Sequence, residues 1–385
     1  MPGIPENITI AGRTPATIKG NLPPLIDTAV AARGGFRAGD DTGGDNPVGV
    51  IFSENFNDQP DWTSTMFSTA STQTTTLGDT VPENWFGIYQ GTQWSPETGF
   101  PNKHASLEIL ASNGDKTRAG GGKSAVFWRE SYSADNNFSW ASDAQLLYAL
   151  PEDVPELYVE FYIRFSEEFW QRNNDSNTPN WSYQGFMHKF FRLGWWDRVS
   201  KPWNAAGGGV NPRMFWGYKL DTYGVRNTVS AFQGPSSGST TVPAFGNGSF
   251  NYTSATKGQE VGGNDPQHQD QINGGNLADF ASVTTHEQVF GPTEKWTKMA
   301  FYVKMNSAED VEDGVFSQWL DGHRIMHKEG FAWHTSGTDK TATGWSFVAI
   351  GGNDFFRPRP DSEQYEDWWA LDDLVIRDSI PLELV

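Results

Sequence analysis

The sequence predicts an all-β chain, a two-sheet antiparallel sandwich preceded by an extended N-terminal arm, on three observations. Short segments of alternating apolar and polar residues recur from Val50 onward, separated by Gly, Asn, Asp and Pro clusters. The 385 residues include 41 Gly, 17 Trp and 26 Phe against only 28 Lys and Arg, a mixture that suits turns and aromatic-lined strands better than long helices. Residues 1–48 have neither period and are punctuated by Pro5, Pro15, Pro23-Pro24 and Gly43-Gly44. This arm is expected to dock on a neighbouring subunit, making the chain part of an oligomer or larger assembly.

Along the chain, residues 157–165 alternate cleanly. Leu157, Val159, Phe161, Ile163 and Phe165 form one face, and Glu160, Tyr162 and Arg164 the other. Residues 183–192 place Gln184, His188 and Arg192 on one face by the same count, and 213–220 align Trp216 with Tyr218. Residues 233–292 are rich in Gly, Ser, Thr, Asn and Gln and read as a long insertion between strands. In 295–305 the pattern returns, with Met299, Phe301, Val303 and Met305 inward and Lys298, Tyr302 and Lys304 outward. Asp321-Gly322, flanked by alternating apolar residues, suits a two-residue hairpin turn that needs positive φ. No fixed-period repeat is present, so the sandwich is read as one domain over residues 49–385.

Composition removes several function classes. A net charge of −19 disfavours nucleic acid, because neutralising phosphates requires clustered Lys and Arg. The same acidic body repels anionic polysaccharide at long range, so such a ligand needs a local basic groove. With no Cys there is neither a disulfide framework nor a thiolate metal site. The first residues lack a basic segment followed by an apolar run, and no stretch has the roughly 18 apolar residues of a membrane span. We therefore expect neither a secretory leader nor a membrane anchor, and a virion or extracellular location.

The C-terminal third carries the most specific pattern. Strand 296–305 is followed by Gln318-Trp319-Leu320-Asp321-Gly322, then by Gly344-Trp345-Ser346-Phe347-Val348-Ala349-Ile350-Gly351-Gly352, then by Leu371-Asp372-Asp373-Leu374-Val375-Ile376. Together with Phe52-Ser53-Glu54-Asn55-Phe56 as an opening strand, this resembles the concanavalin A-like lectin/glucanase superfamily. The resemblance implies a jelly-roll sandwich over residues 49–385 whose first strand pairs with its last. It also implies carbohydrate as ligand, since the superfamily holds lectins, glucanases and polysaccharide lyases.

The two-carboxylate E-x-D-x-[x]-E pattern of the similar glucanases is absent, which argues against glycoside hydrolysis. A lyase needs a base for the proton α to a uronate carboxylate and a group that neutralises that carboxylate. Tyr162, His188, Tyr302 and Arg192 supply those types and are the candidate catalytic set. Phe127-Trp128-Arg129-Glu130 resembles the R-x-E strand of alginate-lyase-like sandwiches in shifted register, and Gln184-Gly185-Phe186-Met187-His188 stands where their Q-[IV]-H would be. Arg129, Arg164, Gln184, Lys298 and Tyr218 are candidate ligand contacts. Trp195, Trp196 and Trp216 join them, because an exposed indole can stack on a sugar ring.

Asp372, Asp373 and Glu54 offer oxygen donors for the structural Ca²⁺ that the resemblance implies, and no cofactor is otherwise required. His323, His327 and His334 are too dispersed for zinc and read as loop or surface residues. The leading expectation is a carbohydrate-recognising component of an assembly such as a viral or phage virion. The alternatives are a lyase acting on a uronic-acid polymer and a non-binding structural or decoration protein.

Overall fold

The structure, a computed structural model, describes residues 49–64, 81–90, 104–118, 120–130, 144–167, 169, 187–198, 212–221, 224–234, 240–241, 250–251, 271–272, 275–276, 290, 292, 294–336, 342–352 and 366–384. The 1–48 arm and most of the 233–292 insertion lie outside them.

The strands, in chain order, begin with β1 (Val50–Glu54), β2 (Trp62–Thr63), β3 (Gly87–Gln90), β4 (Leu107–Ile109), β5 (Ala125–Glu130), β6 (Ala144–Val154) and β7 (Glu156–Phe165). Then come β8 (Met187–Gly194), β9 (Arg213–Asp221), β10 (Gly224–Gln233), β11 (Thr240–Thr241), β12 (Phe250–Asn251), β13 (Gln271–Ile272) and β14 (Gly275–Asn276). The chain closes with β15 (Thr297–Lys304), β16 (Gly314–Leu320), β17 (His323–Phe331), β18 (Trp345–Gly352) and β19 (Glu366–Arg377). The first sheet runs β17-β16-β15-β7-β19-β5-β4-β2, with β1 also on β19; the second runs β11-β10-β9-β8-β18-β6-β3, with β12 on β10. Among the described residues no helix is long and apolar enough to cross a membrane.

The core lies between the sheets, and alternation decides who enters it. Leu157, Val159, Phe161 and Ile163 of β7 and Met299, Phe301 and Val303 of β15 are fully buried in it, facing Phe190, Phe191, Leu193 and Trp216 from the second sheet. Phe161 meets Phe191 at 5.3 Å between ring centroids, and Phe190 meets Trp369 at 5.1 Å, so aromatic pairs bridge the layers. Truncating one such ring to Ala costs roughly 3–5 kcal/mol.

The opening strand β1 pairs antiparallel with β19, Ser53 opposite Val375, as the resemblance implies. At the β16–β17 hairpin Leu320 faces His323 across a two-residue turn, with φ of 48° at Asp321 and 81° at Gly322, as the turn chemistry predicts.

Candidate functional site

The outer faces of the two sheets differ, and the second sheet carries the candidate site. In β8 the register slips between Lys189 and Phe191, so Phe190 is an extra residue and both Phe190 and Phe191 enter the core. The bulge re-aims the flanking residues. Lys189 and Arg192 both lie against the ring of Phe215 from β9, with Nζ at 5.5 Å and Cζ at 5.6 Å from its centroid. Arg213, two residues before Phe215, brings its guanidinium to 5.2 Å from the same ring and 4.7 Å from Phe232 of β10. Three cations thus surround one half-buried aromatic ring. Gly194 pairs with Arg213 across β8 and β9, and a Cβ there would meet the Phe347 ring and the Pro212 carbonyl at 2.9 Å and Arg213 Cβ at 3.0 Å. The absence of a side chain at Gly194 is what lets Arg213 and Phe347 share this face.

Arg192 and Arg213 are each only 5 % exposed. Burial pulls the Arg192 pKa down to about 9, with the neighbouring Arg213 charge lowering it further and Tyr89 raising it. Burial alone brings Arg213 down to about 10. Arg213 Nε and Nη1 have no hydrogen-bond acceptor. Arg213, a charge removed from water with N–H donors left unmatched, is in deficit of negative charge. Next to the two arginines, Phe86, Tyr89, Leu147, Trp196, Phe347 and Ala349 form an apolar floor over β3, β6 and β18.

Among the described residues, the first sheet's outer face is covered at both ends and internally paired. Residues after β19 cover one end, where Ile380 and Leu384 pack on Tyr158, Ala300, Tyr302 and Trp319. The 3₁₀ segment Ala111–Lys116 covers the other, with Lys116 Nζ 5.4 Å from Trp128 and 5.3 Å from Trp368. Tyr162 lies under the Arg118 guanidinium at 3.8 Å. Arg164 donates to the Asp115 carbonyl at 3.0 Å, and Lys298 pairs with buried Glu160 at 3.0 Å. Tyr302 is buried and donates to Glu156 Oε2 at 2.7 Å; burial, then this bond, holds its phenol far above the ordinary tyrosine range, the reverse of what a base needs.

The expected single trough of Tyr162, His188 and Tyr302 is therefore divided. Tyr162 and Tyr302 belong to β7 and β15 of the first sheet, whereas His188 and Arg192 belong to β8 of the second. The two-residue count that joined His188 to Arg192 is broken by the bulge between them. Gln184 lies outside the described residues, as do the side chains of His188, Tyr218 and Arg129; the backbone pairs His188 with Tyr218, and Arg129 with Asp367 in the first sheet.

The tryptophans are corrected as well. Trp216 is fully buried in the core. Trp195 is buried and donates to Asp153 at 3.1 Å, while Trp196 is buried against Phe86, 5.2 Å between centroids, in the floor of the second sheet. Stacking on sugar needs an exposed ring face, which none of the three offers. Glu54 accepts from the Phe56 amide at 2.7 Å and from Gln59, and Asp372 accepts from the Arg118 and Asp373 amides at 3.1 and 2.9 Å. Among the described residues no three acidic or histidine side chains gather to hold a metal, and these two carboxylates face protein donors.

Lys189, Arg213, Phe215 and Tyr89 were missed by sequence reasoning. The signal for the first was available: two successive apolar residues, Phe190-Phe191, between two cations in an alternating strand mark a bulge.

No family profile matches the sequence, and no curated protein matches it. Among solved structures, an alginate lyase mutant in complex with alginate tetrasaccharide aligns at 12 % identity with a TM-score of 0.41, over 84 % of this chain and 95 % of that one. The endo-β-1,4-glucuronan lyase of the fungus Trichoderma reesei aligns at 11 % and 0.38, over 77 % and 92 %. A marine alginate lyase from Aplysia kurodai aligns at 12 % and 0.37, over 70 % and 86 %. At scores of this size, a functional reading stands on the chain's own side chains.

Proposed function

We propose that the chain binds a uronic-acid polysaccharide on the outer face of the second sheet and cleaves it by β-elimination. The observation that carries this reading is the buried Arg213 guanidinium with two unmatched donors, set beside Arg192 and Lys189 around Phe215. A carboxylate accepts N–H bonds and carries the opposite charge, so it is the group that answers this deficit. In an acidic body of net charge −19 this local cationic cluster is the basic groove that an anionic polymer requires.

Pairing the carboxylate with cations also acidifies the proton on the adjacent sugar carbon C5. A base removes that proton, the electron pair forms the C4=C5 double bond, the C4–O4 bond breaks and the departing O4 takes a proton. Tyr89, whose phenol interacts with Arg192 electrostatically, is the assigned proton carrier.

Incubation with alginate, glucuronan and heparin-like polymers, followed by absorbance of the unsaturated product, tests the reaction. Product from one of them is expected. Saturable binding without product would keep recognition and remove elimination, and absence of both would remove the reading altogether.

A further inference from the structure

The outer face of the second sheet carries a polar side chain that the cationic cluster does not use. Ala144, Leu146 and Tyr148 of β6 enter the core and Leu147 lies in the outer apolar floor, so alternation turns Gln145 outward. It is nevertheless only 8 % exposed. Among the described residues its amide has no hydrogen-bond partner, whereas buried side-chain polar groups nearly always find one. Its cross-strand neighbours are Tyr89 of β3 on one side and, on the other, Gly351 of β18, which puts no side chain beside it.

Strand order places this amide between two groups already assigned to the site. β6 and β18 separate β3 from β8, which puts those outer two about 14 Å apart at the usual spacing of about 4.8 Å between strands. The Tyr89 phenol still acts electrostatically on the Arg192 guanidinium, so the two side chains reach toward each other across β6 and β18. Gln145, in the same row as Tyr89, lies between them.

We propose that the Gln145 amide hydrogen-bonds a ring hydroxyl of the uronate whose carboxylate sits on Arg192 and Arg213, a role that rests on the uronate-binding reading above. The guanidiniums bind the carboxylate more strongly than a neutral amide can. A hydroxyl suits what remains, because it can donate to the amide oxygen or accept from the amide NH2, whichever way the group points. Since Tyr89 is the cross-strand neighbour, this bond sets the sugar ring beside the proton carrier. Gln145 is then a specificity residue: a sugar O-acetylated at that hydroxyl offers no proton, adds bulk and leaves the buried amide unmatched.

The test compares the native chain with Gln145→Leu and Gln145→Ala on alginate and glucuronan, each plain and chemically O-acetylated, by steady-state product absorbance and calorimetric binding. Thermal melts report the fold, and either variant alone suffices. On the plain polymer that the native chain prefers, KM is expected to rise about ten-fold with kcat within about two-fold, the signature of lost substrate binding. On the acetylated polymer the native chain should bind about ten-fold more weakly, and the substitutions should add less than about two-fold. A folded variant that matches the native chain on the plain polymer, or loses equally on both, would overturn the role of Gln145 and leave the uronate reading standing. A native chain that neither binds nor cleaves either polymer would remove both.

Discussion

The two outer faces of this sandwich are built from the same kinds of residue and end in opposite states. On the first sheet Lys298 and Arg164, two cations that the sequence pointed to, have protein partners. Lys298 holds Glu160, Arg164 donates to the Asp115 carbonyl, Arg118 holds Asp373, and Tyr302 donates to Glu156. On the second sheet Lys189, Arg192 and Arg213 crowd a single ring, and Arg213 has donors to spare. A rich mixture of Tyr, Arg and Lys on a strand therefore says little about function. Whether a buried donor finds its acceptor within the protein, as Arg164 does and Arg213 does not, decides which group is scaffold and which can take a ligand.

The largest expected effect breaks this contrast at its functional end. Arg192→Gln should lower kcat/KM on the preferred polyuronate by about 100-fold or more, the scale for losing a donor aimed at developing negative charge. Steady-state rates from the unsaturated product measure it. Next is Gly194→Val, whose side chain must displace the Phe347 ring and the Arg213 stem. A loss of roughly 1–3 kcal/mol in urea unfolding is expected, with weaker ligand binding alongside.

A smaller effect sharpens the scaffold side. Burial and the adjacent Asp373 raise the Asp372 pKa to about 8. A carboxyl whose pKa is higher folded than unfolded favours folding while protonated, so its contribution is full near pH 4 and declines as pH rises through about 8. Asp372→Asn cannot ionise. Thermal melts between pH 6 and 9 should fall for the native chain and stay flatter for the variant. The smallest effect is Tyr302→Phe, which should cost about 1 kcal/mol of stability through the lost Glu156 bond and leave turnover within about two-fold.

Much of the fold could be read before any coordinates. Strict alternation placed the inward residues of β7 and β15, Asp321-Gly322 marked the hairpin, and the opening and closing segments pair as expected. The site was less legible, for two physical reasons. Alternation reports which side of its own sheet a residue takes, not which of the two sheets its strand joins, so Tyr162 and Arg192 looked like neighbours. A bulge then shifted the count within β8, hiding Lys189 and falsely joining His188 to Arg192. The indoles of Trp195, Trp196 and Trp216 suit sugar stacking by residue type, yet their large apolar area draws all three into buried positions.

The most direct measurement compares one arginine from each outer face. Calorimetric binding of a uronate oligosaccharide to Arg213→Gln and to Arg164→Gln should give about a ten-fold or greater loss for the first and under about two-fold for the second. Equal losses, or a larger loss for Arg164→Gln, would contradict the assignment of the ligand to the second sheet.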